Sequence, residues 1–129
     1  MSITVTGLDE LYKHVEAVTA ADILKPPMQR GVLRLEAYMK DYPSAPPMSR
    51  YRRTGTLGRR WTTRVEPVGN GLEGRVGNNV NYAPFVQSSM FQVPWHRRTG
   101  WHTDADAVRE NEAAIVADFQ QAIDVAIRG

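Results

Sequence analysis

The sequence predicts an α+β fold: a small antiparallel sheet built on a central β-hairpin, with two helices before it and one long helix after it. Two short alternating segments flank Asn70-Gly71, and both of these residues accept positive φ at low cost, which predicts the hairpin. Apolar residues at helical spacing before and after it predict the helices. The chain has 129 residues, 42% of them hydrophobic, so we expect one domain over residues 1–129 with a single main core.

The N-terminal part is predicted to contain one strand and two helices. Residues 3–6 are mostly β-branched and are expected to add an edge strand to the hairpin. Residues 8–18 carry apolar side chains at i, i+3, i+4 and i+7, which predicts a first helix. A second helix is expected to begin near Asp22 and to reach about Tyr42, with its main part from Pro27. Proline is tolerated there because the first turn of a helix needs no backbone N–H.

The hairpin strands are predicted over residues 59–68 and 72–77. In the first of them, Trp61, Thr63 and Val65 share one face, while arginine and threonine occupy the other. We therefore expect one buried and one solvated face of the sheet.

Two long connections are expected, at about residues 43–58 and 88–103. Between the hairpin and the second connection, Tyr82, Phe85 and Val86 have helical spacing, which predicts a short helix packed on the sheet. The second connection shows no clear period. It is rich in large aromatic residues, which are rare in disordered segments, so we expect it to become ordered against another surface. These aromatic residues are Phe91, Trp95 and Trp101.

A long C-terminal helix is predicted to begin at Thr103, with Asp106 in the capping-box position three residues later. The helix is rich in acidic residues and is expected to cover one face of the sheet. Its predicted apolar stripe consists of Val108, Ile115, Val116, Phe119, Ile123 and Ile127.

The sequence indicates no catalytic, metal-binding or cofactor-binding constellation. The absence of cysteine excludes thiolate nucleophiles, disulfides and cysteine zinc sites. His96, His102 and Asp104 lie close together in sequence, but their spacing matches no metal-binding motif, and exposed loop histidines are the simpler interpretation. The glycines around the hairpin fit turns better than a phosphate cradle. We therefore expect no enzyme activity, no metal and no cofactor, and no run is apolar and long enough to span a bilayer.

An acid-free run between Asp41 and Glu66 accumulates arginine. Three interpretations stay open: a solvated loop, a protein interface against an acidic neighbour, and a nucleic-acid contact. The formal net charge of +2 argues against a dedicated nucleic-acid binder. The acidic C-terminal helix of a second copy would be a complementary surface. The arginines are Arg50, Arg52, Arg53, Arg59, Arg60 and Arg64.

The aromatic connection is a second candidate interface, because tryptophan and arginine are typical of residues that dominate binding. The alternative is that its tryptophans fold back onto the core of the same chain. The candidate interface residues are Arg50, Arg52, Arg53, Arg59, Arg60, Phe91, Trp95, Arg97, Arg98 and Trp101.

Two short motifs bracket the hairpin, and with the order of the helices they resemble a known family. The motifs are Thr54-Gly55-x-Leu57 and Val80-x-Tyr82-Ala83-x-x-Val86. Over about residues 8–127, the chain is similar to the neck, head–tail joining or tail-completion proteins (minor tail components) of long-tailed bacteriophages.

The chain departs from the family pattern at two places. The family often shows an acid and then a glycine after its Tyr-Ala pair, whereas this chain has Gln87-Ser88-Ser89. A later Pro-Phe segment of the family is replaced by residues 95–101. These differences affect which neighbour the long connection meets. They affect the fold less.

The resemblance implies a structural virion protein of the phage neck, made in the host cytoplasm and without enzyme activity. Such proteins form a ring, expected to be hexameric to match the tail, between the head connector and the tail. The implied neighbours are connector or head-closure proteins on one side and tail-terminator or tail-tube proteins on the other. DNA would pass through the channel without sequence-specific binding, and no membrane is involved. The alternative function is a nucleic-acid-binding module that uses the arginine-rich residues 50–64.

Overall fold

The α+β fold is confirmed by a computed structural model, which describes residues 1–6, 17–43, 56–68 and 71–128. Within these ranges, three strands form one antiparallel sheet and five helices accompany it. The elements are β1 (Ser2–Thr6), α1 (Ala17–Met39), α2 (Thr56–Arg59), β2 (Trp61–Val68), β3 (Gly71–Asn78), α3 (Ala83–Gln87), α4 (Pro94–Arg98) and α5 (Asp104–Arg128).

The sheet has the strand order β1-β3-β2, so the predicted N-terminal edge strand is confirmed. The hairpin is confirmed as well, with one correction to its turn. Val68 pairs with Gly71, which places Gly71 in β3 rather than in the turn, and residues 69–70 lie outside the described residues. Arg59 belongs to α2, so β2 begins at Trp61 instead.

One face of the sheet packs on the core and the other meets solvent, as the alternation predicts. Leu72 and Val76 are buried, and Trp61 and Val65 pack against them from β2. Thr63 shares this face but is exposed. The two faces therefore differ in chemistry, because the outer one carries the charged residues of the sheet.

Residues Ala17–Met39 form one continuous helix, so the predicted helix start near Asp22 is wrong. Pro26 and Pro27 lie inside this helix and remove two backbone donors from it. Pro27 is almost fully buried, and its packing in the core offsets part of that loss. Pro27 therefore marks a buried position in the helix interior and not a helix start.

The same helix ends at Met39, three residues before the predicted end at Tyr42. The chain then leaves the helix through a tight turn, in which the N–H of Asp41 bonds to the carbonyl of Tyr38 at 3.2 Å. The predicted first helix over residues 8–18 falls mostly outside the described residues.

The helix that covers the sheet is α1, so the prediction that the C-terminal helix does this is wrong. α1 contacts all three strands, whereas α5 packs mainly against α1. Arg30 of α1 holds Asp118 of α5 through two hydrogen bonds of 2.7 and 2.8 Å. The main core consists of Leu24, Met28, Val32, Leu35, Met39, Leu72, Val76, Ala107, Ile115 and Phe119.

The buried stripe of α5 is narrower than predicted. Val108, Val116 and Ile127 were expected in the core and are exposed, while Ile115 and Phe119 are buried as predicted. The reason is that α5 packs along a single i, i+4 row against α1. This row consists of Ala107, Asn111, Ile115 and Phe119. No helix in the described ranges is long and apolar enough to cross a membrane.

Gly74 allows the close approach of α1 to the sheet. A Cβ atom at this position would lie 2.5 Å from Cγ1 of Val32 and 2.7 Å from Sδ of Met28. Both neighbours are fully buried, so neither can move away without disturbing the core. Gly77, in the same strand, has no atom of the described chain within 4 Å of such a Cβ.

We predict that Gly74→Ala lowers the free energy of unfolding by about 1–3 kcal/mol, because the added methyl group overpacks the contact between β3 and α1. Urea unfolding followed by circular dichroism measures this change. The control is Gly77→Ala, which adds the same methyl group in open space and should change the stability by less than about 0.5 kcal/mol. Equal effects of the two substitutions would contradict the tight packing at Gly74.

Candidate protein-interaction surface

Residues 82–103, which we call the aromatic segment, place several large apolar side chains in solvent. Phe85, Met90, Phe91 and Trp95 are all at least half exposed. Part of this segment was predicted to be a loop without regular structure, but α4 lies inside it and the predicted short helix, α3, begins it. The exposed side chains therefore project from a folded unit.

Helix α4 begins and ends with two residues whose backbone preferences suit those positions. Pro94 occupies the first turn, where a missing N–H has no cost. Gly100 follows the helix with φ of 91°, and the N–H groups of Gly100 and Trp101 bond back to the carbonyls of Arg97 and His96 at 3.4 and 3.2 Å. This is the Schellman arrangement. Proline followed six residues later by glycine is a sequence signal from which this helix could have been predicted, but the search for apolar periodicity missed it.

Helix α3 packs on α2, so the prediction that it packs on the sheet is wrong. Its residues Ala83 and Val86 form a second small core with Leu57 of α2. Tyr82 and Phe85, which were predicted to pack inward, are exposed. Tyr42, Val80 and Trp101 are partly buried around this core.

The second core brings together residues of the two motifs that carry the family resemblance. Leu57 comes from the first motif, while Val80, Ala83 and Val86 come from the second. Asn78 reinforces the contact, because its Nδ2 donates to the carbonyl of Leu57 at 2.7 Å and its Oδ1 accepts from the N–H of Val80 at 3.0 Å. The motif residues Thr54 and Gly55 lie outside the described residues.

Gln87 fastens the aromatic segment to the ends of both long helices. Its side chain is 4% exposed, and its Nε2 donates to the carbonyl of Met39 at 2.8 Å and to that of His102 at 3.2 Å. One amide group thus satisfies a carbonyl at the end of α1 and another just before α5. Its Oε1 is buried and accepts no hydrogen bond from the described residues.

Gln92 closes the segment on itself in the same way. Its Nε2 donates to the carbonyls of Val86 and Trp101 at 2.8 and 3.1 Å. Beside it, the N–H of Val93 donates to the carbonyl of Phe85 at 2.9 Å. These bonds keep α3 and α4 together, so the exposed aromatic side chains are held on one ordered support.

The first turn of α5 anchors the other end of the segment. Thr103 and Asp106 form the predicted capping box: the N–H of Asp106 donates to Oγ1 of Thr103 at 3.2 Å, and the N–H of Thr103 donates to Oδ2 of Asp106 at 3.0 Å. The bond from Thr103 and the ion pair with Arg109 at 2.7 Å lower the pKa of Asp106. Oδ1 of Asp104 accepts a hydrogen bond from the N–H of Ser89 at 2.9 Å, which ties the segment to α5.

The two tryptophans of the segment have different environments. Trp95 is 50% exposed, whereas Trp101 is partly buried, with its ring centroid 5.0 Å from that of Tyr42. Trp101 therefore packs on its own chain, as one of the two interpretations predicted. Trp95 is half exposed, and its contact with another surface stays a prediction. Phe91 is 58% exposed and belongs with Trp95.

Several arginines of the candidate interface are exposed. Arg97 and Arg98 make no ion pair with the described residues, and the same is true of Arg59 and Arg60 at the end of α2. Arg59 lies two residues after Leu57 and is followed by Arg60, and Leu57 packs against Ala83 and Val86 of the segment. Arg50, Arg52 and Arg53 lie outside the described residues.

The histidines of the segment make contacts unrelated to metal binding. His102 stacks on Tyr38 with a centroid distance of 4.3 Å, and Nδ1 of His96 lies 3.2 Å from the carbonyl oxygen of Phe85. In the part of the chain that the structure describes, no three His, Asp or Glu side chains are grouped to hold a metal ion.

This surface can make hydrophobic contacts with a partner, and basic residues lie beside its exposed rings. Covering the exposed half of Phe91 or Trp95 would contribute on the order of 1 kcal/mol for each side chain. Because the support is already ordered, binding would cost little additional backbone entropy. These properties are those of a protein-docking surface.

Comparison with known proteins identified no relative of this chain. No protein-family model matches the chain, and no curated protein and no solved structure shows significant similarity to it.

We predict that Gln87→Ala lowers the free energy of unfolding by about 1–3 kcal/mol, because it leaves the carbonyls of Met39 and His102 without their donor. The substitution should also accelerate tryptic cleavage after Arg97 and Arg98. Urea unfolding and timed proteolysis measure the two effects. Gln121→Ala on the exposed face of α5 is the matched control and should change neither.

A second prediction concerns acid stability. Because the folded-state pKa of Asp106 is lowered from its ordinary value of 3.8, the stabilisation is fully present above that value and is lost as the pH falls through the lower folded-state pKa. Asp106→Asn does not titrate, so its stability should fall less steeply over the same range. Urea unfolding between pH 7 and pH 2 measures both slopes, and identical slopes would contradict a role for this carboxylate.

Proposed function

We propose that this protein is a structural component of the neck of a tailed bacteriophage, where copies of it form a ring between the head connector and the tail. The observation that carries the proposal is the aromatic segment, an ordered support that holds Phe91 and Trp95 in solvent beside Arg97 and Arg98. A monomer rarely maintains such a patch without a partner, so the surface supports an assembly role.

The second core supports the resemblance to the neck proteins. Leu57 of one motif packs against Ala83 and Val86 of the other, although the whole hairpin separates them in sequence. The shared residues therefore have a common structural task, which is to seat α3 and the aromatic segment on α2.

The distribution of charge supports contact between unlike surfaces. No acidic residue occurs between Glu73 and Asp104, whereas α5 is rich in acidic residues. Contacts between two different patches of the same protein join copies head to tail, and they close into a ring when the rotation permits. We infer a closed ring with a channel for DNA, and no chemical reaction.

The nucleic-acid alternative receives less support from the described arginines. Arg64 lies 3.0 Å from Glu66, and Arg75 is paired with Glu73, so the outer face of the sheet mixes both charges. Duplex binding by phosphate contacts requires a surplus of base along one surface. Arg50, Arg52 and Arg53 keep this alternative open to a direct test.

We predict that the purified protein forms a discrete ring-shaped oligomer, expected to be a hexamer. Native mass measurements over a range of protein and salt concentrations, with negative-stain images of the largest species, test this directly. A monomer at every concentration would contradict self-assembly. In that case, salt-sensitive binding of duplex DNA by the same sample would favour the nucleic-acid alternative.

A further inference from the structure

One flank of α5 is apolar and uncovered. Val108, Val116 and Ile127 are all more than 40% exposed. At about 100° per residue, Val116 and Ile127 lie within about 20° of each other around the helix axis. The partly buried Ile123 lies beside them at the edge of the main core. Val108 lies about 80° from Val116 around the axis and extends this surface toward the start of the helix. We call Val108, Val116, Ile123 and Ile127 the α5 flank.

The α5 flank is acidic as well as apolar. Glu112 lies between Val108 and Val116 on the same side of the helix and makes no ion pair with the described residues. Asp124, one turn before Arg128, accepts only the amide of Gln120 among the described side chains. The flank therefore offers aliphatic contact beside carboxylates that have no cationic partner in the described part of the chain.

The aromatic segment has the complementary chemistry. It exposes Phe91 and Trp95 beside Arg97 and Arg98, whose guanidinium groups have no acidic partner among the described residues. Aromatic rings on aliphatic side chains, with arginine at the rim opposite carboxylates, are the residue types that dominate protein interfaces. The aromatic segment supplies aromatic rings and arginines, and the α5 flank supplies aliphatic side chains and carboxylates.

Geometry prevents a single chain from making this contact along the whole flank. The segment is tied to the first turn of α5, where Asp104 holds Ser89 at 2.9 Å. Val108 and Ile127 are about 28 Å apart along a helix that rises 1.5 Å per residue. A segment fixed at one end cannot reach the far part of its own flank, so a contact between these two surfaces along the whole flank needs the segment of another copy.

We propose that the aromatic segment of one copy docks on the α5 flank of a second copy. This inference rests on the proposed self-assembly and adds to it the two surfaces that meet. Because they are different parts of the chain, each copy uses its segment toward one neighbour and its flank toward the other. The contact is heterologous and can propagate around a ring.

The test uses two defective variants of the full chain. Val116→Asp places a charge in the flank, and Phe91→Ala/Trp95→Ala removes the rings of the segment. Each should raise the dissociation constant of self-association by about 10-fold or more, as loss of a central interface residue does. Sedimentation velocity measures the constant, and circular dichroism checks that these exposed substitutions leave the fold intact.

Matched controls come from the same chain. Val125→Asp makes the identical change at a residue that is 64% exposed, against 59% for Val116, on the opposite side of α5. Leu33→Ala removes an exposed apolar side chain from α1, outside both surfaces. Both controls should assemble as the wild type does, within about twofold.

Mixing the two defective variants gives the decisive result. The Val116→Asp copy keeps its segment, and the Phe91→Ala/Trp95→Ala copy keeps its flank, so the mixture should form a one-to-one dimer and nothing larger. Equal assembly of Val116→Asp and Val125→Asp would overturn this contact and leave the ring proposal standing. Normal assembly of the segment variant would assign the segment to a different protein and would also overturn the contact. A wild-type monomer would contradict self-assembly itself.

Discussion

The close packing of α1 on β3 is the constraint on which the rest of the molecule depends. Gly74 has no space for a Cβ atom, because the side chains of Met28 and Val32 already occupy that position. α5 packs beside α1, and Gly31 of α1 lies close to both Ile3 of β1 and Ile115 of α5. Because α5 packs mainly against α1 along one row, part of its apolar stripe stays in solvent.

The candidate interaction surface is a consequence of how the long helices end. Gln87 uses one amide to satisfy the carbonyl of Met39 at the end of α1 and that of His102 before α5. The second core around Leu57 holds α3 against α2. The aromatic segment is thus positioned by both cores together. Its exposed rings are preorganised, which lowers the entropic cost of binding a partner.

Elements governed by local chemistry were predictable from the sequence. The capping box of Thr103 and Asp106 and the alternating strands of the hairpin need only neighbours within a few residues, and both are confirmed. Helix α4 was missed although Pro94 and Gly100 mark its ends, because it is too short to show an apolar period. The helix start near Asp22 was wrong because a buried Pro27 can be accommodated where tertiary packing offsets the lost hydrogen bond.

By itself, the sequence determined the class of fold, the strands and the long helices, because periodicity and capping act over a single turn or strand. Only the tertiary structure decided which side chains stay in solvent. Trp101 and Trp95 are equivalent by residue type, yet Trp101 meets Tyr42, which is distant in the chain, whereas Trp95 is half exposed. The same holds for α5, where Ile115 is buried and Val116 is exposed. Exposure depends on which surface lies opposite, and that surface is set by packing between distant parts of the chain.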